Sequence, residues 1–127
     1  MIEKTEALTD IQYNRAIQAY HQIEYRKCEI KKIKEQVSNR DDIEDVINCA
    51  NLEIELGGLS HVQFDIQMLS SGMIKTEECA KKVRIKYGSE WYTCWRSLHN
   101  DYIDDQLLLE RAFAYELIYG DASIIDI

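Results

Sequence analysis

The first apolar pattern starts at Tyr13 and continues at heptad-like spacing through Ala16, Tyr20, Ile23, Ile30 and Val37. Ile17 and Ile33 widen the stripe, and Lys27 and Lys34 interrupt it. This pattern predicts a helix of up to thirty residues whose apolar face meets a partner helix. Thr9 and Gln12 form a capping box at its start, with Leu8 and Tyr13 at the staple positions. Its far end is loaded with Lys and Arg, which suits the negative pole of a helix dipole. Ser38-Asn39-Arg40-Asp41-Asp42 reads as a turn into a second helix, along which Ile43, Ile47, Ala50 and Ile54 keep helical spacing.

Beyond that point two patterns compete. Leu52, Ile54 and Leu56 alternate with polar residues, Gly57-Gly58 follow, and Val62, Phe64, Ile66 and Met68 alternate again, as in a β-hairpin. The same residues also fit a helix. Leu52, Leu56, Leu59, Val62, Ile66 and Leu69 make one stripe, and Ile54, His61, Phe64 and Met68 a second. A helix of that kind would be buried on two sides, with the glycines permitting close approach or a break. The helix is the favoured reading, and a hairpin at 52–69 the alternative.

Thr76 is placed to cap a short helix carrying the pairs Glu77–Lys81 and Glu78–Lys82. Gly88-Ser89 reads as a C-cap followed by an N-cap. A final helix is expected from Glu90 to Tyr119, stopped by Gly120, with Asn100-Asp101 as its weak point. Its first face is Trp91, Trp95, Leu98 and Tyr102, and its second half carries Leu107-Leu108-Leu109, Phe113, Leu117 and Ile118. The apolar tail Ile124, Ile125 and Ile127 is expected to dock. The expected fold is therefore all-α: one domain over 1–127, a compact bundle of two or three long antiparallel helices plus one short helix, with an α+β fold as the alternative. The complete absence of proline favours long helices.

Charge adds information that the apolar pattern lacks. The net charge is −8, but it is banded. Residues 26–40 hold six bases and two acids, 41–70 hold seven acids and no base, 71–96 hold six bases and three acids, and 97–127 hold one base and seven acids. An acidic chain is poorly suited to phosphate contacts and well suited to basic partners. If the bands pair within the fold, the exposed acidity is smaller than the composition suggests. No run of apolar residues is long enough for a membrane span. The opening decapeptide has three acids and no apolar block, unlike a secretory leader, so a cytoplasmic protein is expected. Cys28, Cys49, Cys79 and Cys94 form no CxxC pair, and reduced, buried thiols are expected.

Asp41-Asp42-Ile43-Glu44-Asp45 is similar to the DDxxD motif of prenyl-transferring enzymes, whose fold needs a much longer chain. Asp101, Asp104 and Asp105 form a second acidic set at i, i+3, i+4, on one helix face. The stretch Glu53-Ile54-Glu55-Leu56-Gly57-Gly58 resembles the EExxE-type helix of all-α nucleoside-triphosphate pyrophosphohydrolases, but Gly58 stands where a metal-binding glutamate is required. No nucleophile elbow, Walker loop or dinucleotide fingerprint is present. The expectation is no enzyme, no metal and no cofactor.

What remains is surface character. The expected function is that of a small acidic protein-binding inhibitor or regulator, of the phage anti-defence or immunity type, occupying a basic surface of a nucleic-acid-handling partner. The residues expected to carry it are Asp41, Asp42, Glu44, Asp45, Asp101, Asp104 and Asp105, with Tyr92 and Tyr115 as aromatic contacts off the buried stripes. The heptad stripe of the first helix would also support a homodimer. The alternative is a helix-turn-helix-like DNA-binding regulator using 76–100.

Overall fold

A computed structural model describes residues 2–37 and 42–126 of the chain. Two 28-residue helices, α1 (Asp10–Val37) and α2 (Ile43–Ser70), pack antiparallel. They are followed by α3 (Glu77–Tyr87), α4 (Trp95–Asp101) and α5 (Gln106–Tyr119), with short 3₁₀ turns at Trp91–Cys94, Ile103–Asp105 and Ile124–Asp126. No strand occurs among the described residues. The all-α reading holds, and 52–69 is helix.

The local signals at α1 act as expected. Thr9 N–H donates to Gln12 Oε1 at 3.0 Å, and Gln12 N–H to Thr9 Oγ1 at 3.2 Å, a complete capping box. Leu8 is buried and Tyr13 packs on the core. Ala16, Ala19, Ile23 and Ile30 are buried within the chain's own core. The apolar stripe of α1 is thus engaged within the chain, which removes the basis for a dimer through that face. The two lysines that interrupt the stripe meet polar groups on α2. Lys27 Nζ donates to Gln63 Oε1 at 2.8 Å, and Lys34 pairs with Glu53.

Of the two stripes on α2, Leu59, Val62, Ile66 and Leu69 are buried, whereas in the second Phe64 and His61 are exposed and Ile54 and Met68 half-buried. The expectation of burial on two sides fails for this reason. The rest of the chain buries the first stripe from Leu59 to Leu69 and covers the second only in part. The core is closed by Trp91, Trp95, Leu109, Phe113, Leu117 and Ile118. Trp95 stacks between His99 and Phe113, with centroids at 4.7 and 4.8 Å.

The expected 90–119 helix is instead interrupted at two places. A 3₁₀ turn carries Trp91 into α4, and Tyr102–Asp105 breaks the chain again before α5. Within the tail Ala122 and Ile124 dock, while Ile125 is exposed and Ile127 lies outside the described residues. The cysteines are free thiols, but Cys28 and Cys94 are exposed and Cys49 and Cys79 half-buried, so the expectation of buried thiols is corrected. Thr76 precedes α3 without a side-chain cap bond. Lys81 reaches both Glu77 and Glu78, the latter at i,i+3 spacing.

Candidate binding surface

Pairing between the charge bands decides which acids remain on the surface. Glu55 is buried and accepts Arg26 Nε at 2.8 Å and Arg26 Nη2 at 3.0 Å, a bidentate pair across α1 and α2. Arg96 of α4 brings its Nε to 3.2 Å from the same carboxylate, within ion-pair range but without hydrogen-bond alignment. The Glu55 hydrogen bond holds the Arg26 guanidinium above its already high ordinary value. Arg84 pairs with buried Glu116. Lys86 and the Tyr87 hydroxyl both reach Asp105, and these hydrogen bonds hold its carboxyl below the usual aspartate range.

The acids expected at the binding surface therefore separate into different environments. Asp41 lies outside the described residues. Asp42 is the N-cap of α2 and accepts the Glu44 backbone N–H at 3.0 Å. Glu44 is exposed in the first turn of α2, and Asp45 is half-buried beside Lys31 and Lys34. Asp105 is occupied by Lys86 and Tyr87. Asp101 and Asp104 are exposed. Tyr92 and Tyr115 are half-buried against the core rather than projecting from it, and burial raises both phenols above the ordinary value. Among the described residues, no three His, Cys, Asp or Glu side chains converge on a position that could hold a metal ion.

The break between α4 and α5 brings Asp101 and Asp104 together with Tyr102 and Leu107, which the sequence placed on apolar helix faces, and with Ile103. Ile103 is 70% exposed and Leu107 56% exposed, and Tyr102 lies beside them. Tyr102 is propped by an edge contact with Tyr87, ring centroids 5.2 Å apart. Asp101, Tyr102, Ile103, Asp104, Asp105 and Lys86 line an open depression of about 470 Å³. This is an apolar patch with an acidic rim on a short, anchored turn. The weak point expected at Asn100-Asp101 falls at the end of α4, next to the break at Tyr102–Asp105 that carries this corner.

Beneath the corner lies a polar layer not visible in any local motif. Glu110 is buried and accepts both His61 Nδ1 at 2.9 Å and His99 Nε2 at 2.8 Å. Gln106 Nε2 donates to the His99 carbonyl at 3.0 Å, tying the first turn of α5 to α4. These bonds hold the hairpin of α4 and α5 against α2, and so fix the corner in place.

No protein-family model matches the chain, and no match to it is found among the curated proteins or the solved structures.

Proposed function

We propose that this protein is a non-enzymatic inhibitor or regulator that binds a basic surface of a nucleic-acid-handling protein through the corner formed by residues 101–107. One observation carries the reading: exposed Asp101 and Asp104 flank exposed Tyr102, Ile103 and Leu107 on a turn held by Lys86, Tyr87 and His99. Aromatic and aliphatic anchors supply affinity at protein interfaces, and an acidic rim selects and steers a basic partner. Anti-defence and immunity-type inhibitors act in this manner, and that is the functional class to which the reading assigns the chain.

Internal pairing narrows the surface rather than removing it. Glu53, Glu55 and Asp105 each hold a cation of the same chain, and Asp101 and Asp104 are the contact acids of the corner. The DNA-reading alternative is not favoured by any observation. The second helix of the 76–100 segment has only seven residues, Trp95 and His99 are buried in it, and Arg96 is turned to Glu55.

The test is affinity capture from lysate with wild-type protein and with an Asp101→Asn/Asp104→Asn/Ile103→Ser variant. The expected result is capture of a basic nuclease, polymerase or similar protein, competed by short duplex DNA and lost in the variant. Capture that is indifferent to the variant, or direct salt-sensitive binding of the chain to DNA, would overturn the reading.

A further inference from the structure

The outward face of α2 carries a second seam. Ile43, Ile47, Ala50, Ile54, Gly57, His61, Phe64 and Met68 follow one another at alternating spacings of four and three, with no Asp, Glu, Lys or Arg among the eight. This is the heptad pattern of a helix–helix interface. It spans 26 residues, about 38 Å at the usual rise per residue, and reaches the three to four heptads that mark a sustained seam. Ile43 is 76% exposed, Ile47 55% and Phe64 57%. Ala50 and Gly57 are exposed, with open space around Gly57, and Ile54 and Met68 are half-buried. His61 stays exposed while bonded to Glu110. Val46, on the same side of the helix, is exposed as well. An apolar stripe of this length on a strongly charged chain is a contact surface.

We infer that this face binds a second copy of the chain, with the two α2 helices antiparallel. The spacing reads the same from either end, so an antiparallel copy sets Ile43 against Met68, Ile47 against Phe64, Ala50 against His61 and Ile54 against Gly57. In the two central layers a large side chain meets a small one, which lets the helices approach closely at the two-fold axis. The outer layers close on Ile–Phe and Ile–Met contacts. A parallel copy would instead face Gly57 with Gly57 and Phe64 with Phe64, leaving a gap in one layer and crowding another. It would also align the two helix dipoles, which the antiparallel arrangement opposes. The seam keeps charge out of the contact, so the repulsion to be overcome is that of two chains at −8 each. Association therefore tightens as salt screens it, the reverse of acid-driven binding at the 101–107 corner.

Sedimentation equilibrium on the full chain tests this, up to hundreds of micromolar and at low and high salt. The wild type is expected to dimerise, more tightly at high salt. Phe64→Glu and Ile47→Glu are each expected to sediment as monomers, with helical content retained because both side chains are exposed. Ile85→Glu, equally exposed but on α3, is expected to remain dimeric. Orientation is read by oxidative cross-linking with Cys28, Cys49, Cys79 and Cys94 changed to serine, since two of these thiols are themselves exposed: a mixture of Ile43→Cys and Met68→Cys chains should yield the mixed dimer in excess of either self-linked form. A wild type that stays monomeric, or a dimer that survives both seam substitutions, overturns the inference. So does association that weakens with salt, and preferential linking of Ile43→Cys to itself overturns the antiparallel arrangement. A helix from another protein as the true occupant would appear here as a monomeric wild type. Asp101→Asn/Asp104→Asn should leave dimerisation unchanged, so failure of the corner and failure of the seam are separable.

Discussion

The imidazole of His99 lies against the backbone of Gly58, so close that a Cβ at position 58 would stand 2.5 Å from Cε1 and 2.7 Å from Nε2. His99 cannot easily retreat, since Trp95 stacks on its ring and Glu110 holds Nε2. Gly57, one residue earlier in the same helix, has no neighbour within 4 Å of the equivalent position. Alanine at the two sites is therefore expected to act in opposite directions. Gly57→Ala should stabilise the fold by about 0.5–1 kcal/mol through the lower entropy of the unfolded chain. Gly58→Ala should destabilise it by about 1–3 kcal/mol, the range for an overpacked core site. Urea unfolding of both variants at a concentration below dimer formation checks the pair of signs.

Arg15 terminates α5 from a distance of about a hundred residues in sequence. Its Nε donates to the carbonyls of Leu117 and Ile118 at 3.1 and 3.2 Å, and its Nη2 to those of Glu116 and Ala122 at 3.3 and 3.4 Å. The last turn of a helix leaves carbonyls without intrahelical partners, and a cation is favourable there. Arg15→Ala removes those donors and is expected to cost about 1–3 kcal/mol, as for hydrogen bonds to a charged group. Arg15→Lys should recover only part, because an ammonium lacks the planar fork. Amide exchange at residues 116–124 should rise in Arg15→Ala well beyond the change at the start of α2.

How far the sequence discloses these arrangements depends on how far apart the partners lie. The Thr9/Gln12 capping box and the start of α1 are legible because the interacting groups are three residues apart. The lysines within the α1 stripe look like defects, because Gln63 and Glu53, which they meet, are far along the chain. Gly57-Gly58 leaves hairpin and helix both open, and what requires Gly58 within a helix is the ring of His99, a tertiary contact. The acidic set at 101–105 is legible as a set. Its division into exposed Asp101 and Asp104 and engaged Asp105 is not, since it depends on where α3 places Lys86 and Tyr87. The apolar half of the corner is hidden as well: Ile103 is exposed within the 3₁₀ turn that interrupts the expected helix, and Leu107 on the outer side of α5.

Glu55 is the most heavily invested carboxylate, with Arg26 bidentate and Arg96 beside it. Removing one partner of a buried pair leaves a charge without compensation and costs about 3–5 kcal/mol. Glu55→Ala strands two guanidiniums and is expected at the upper end. Arg96→Ala should cost less than Arg26→Ala, because Arg96 is more exposed and lacks the bidentate geometry. A double-mutant cycle between positions 26 and 55 should give coupling larger than one between 96 and 55. Equal coupling would show that the two arginines share the carboxylate evenly.

Asp65 is expected to set a pH dependence of the opposite sign to that of an ordinary salt-bridged carboxylate. It is buried beside Glu110, and burial raises its carboxyl above the usual aspartate value, with the Glu110 charge adding to the shift and Arg111 and His61 opposing it. A carboxyl whose folded value lies above its unfolded one binds more protons in the folded state between the two. Its ionisation therefore works against folding as pH rises through that window, and the penalty is fully present above the raised value. Asp65→Asn keeps the shape and removes the charge, so it should be more stable than wild type at neutral pH. The advantage should shrink on acidification and vanish well below the ordinary aspartate value of about 3.9, where the wild-type aspartate is protonated in both states. Thermal unfolding of the two proteins from neutral to acidic pH measures this directly. Curves that stay parallel would show that Arg111 and His61 cancel burial at this site, and an Asp65→Asn variant less stable than wild type at neutral pH would show that they outweigh it.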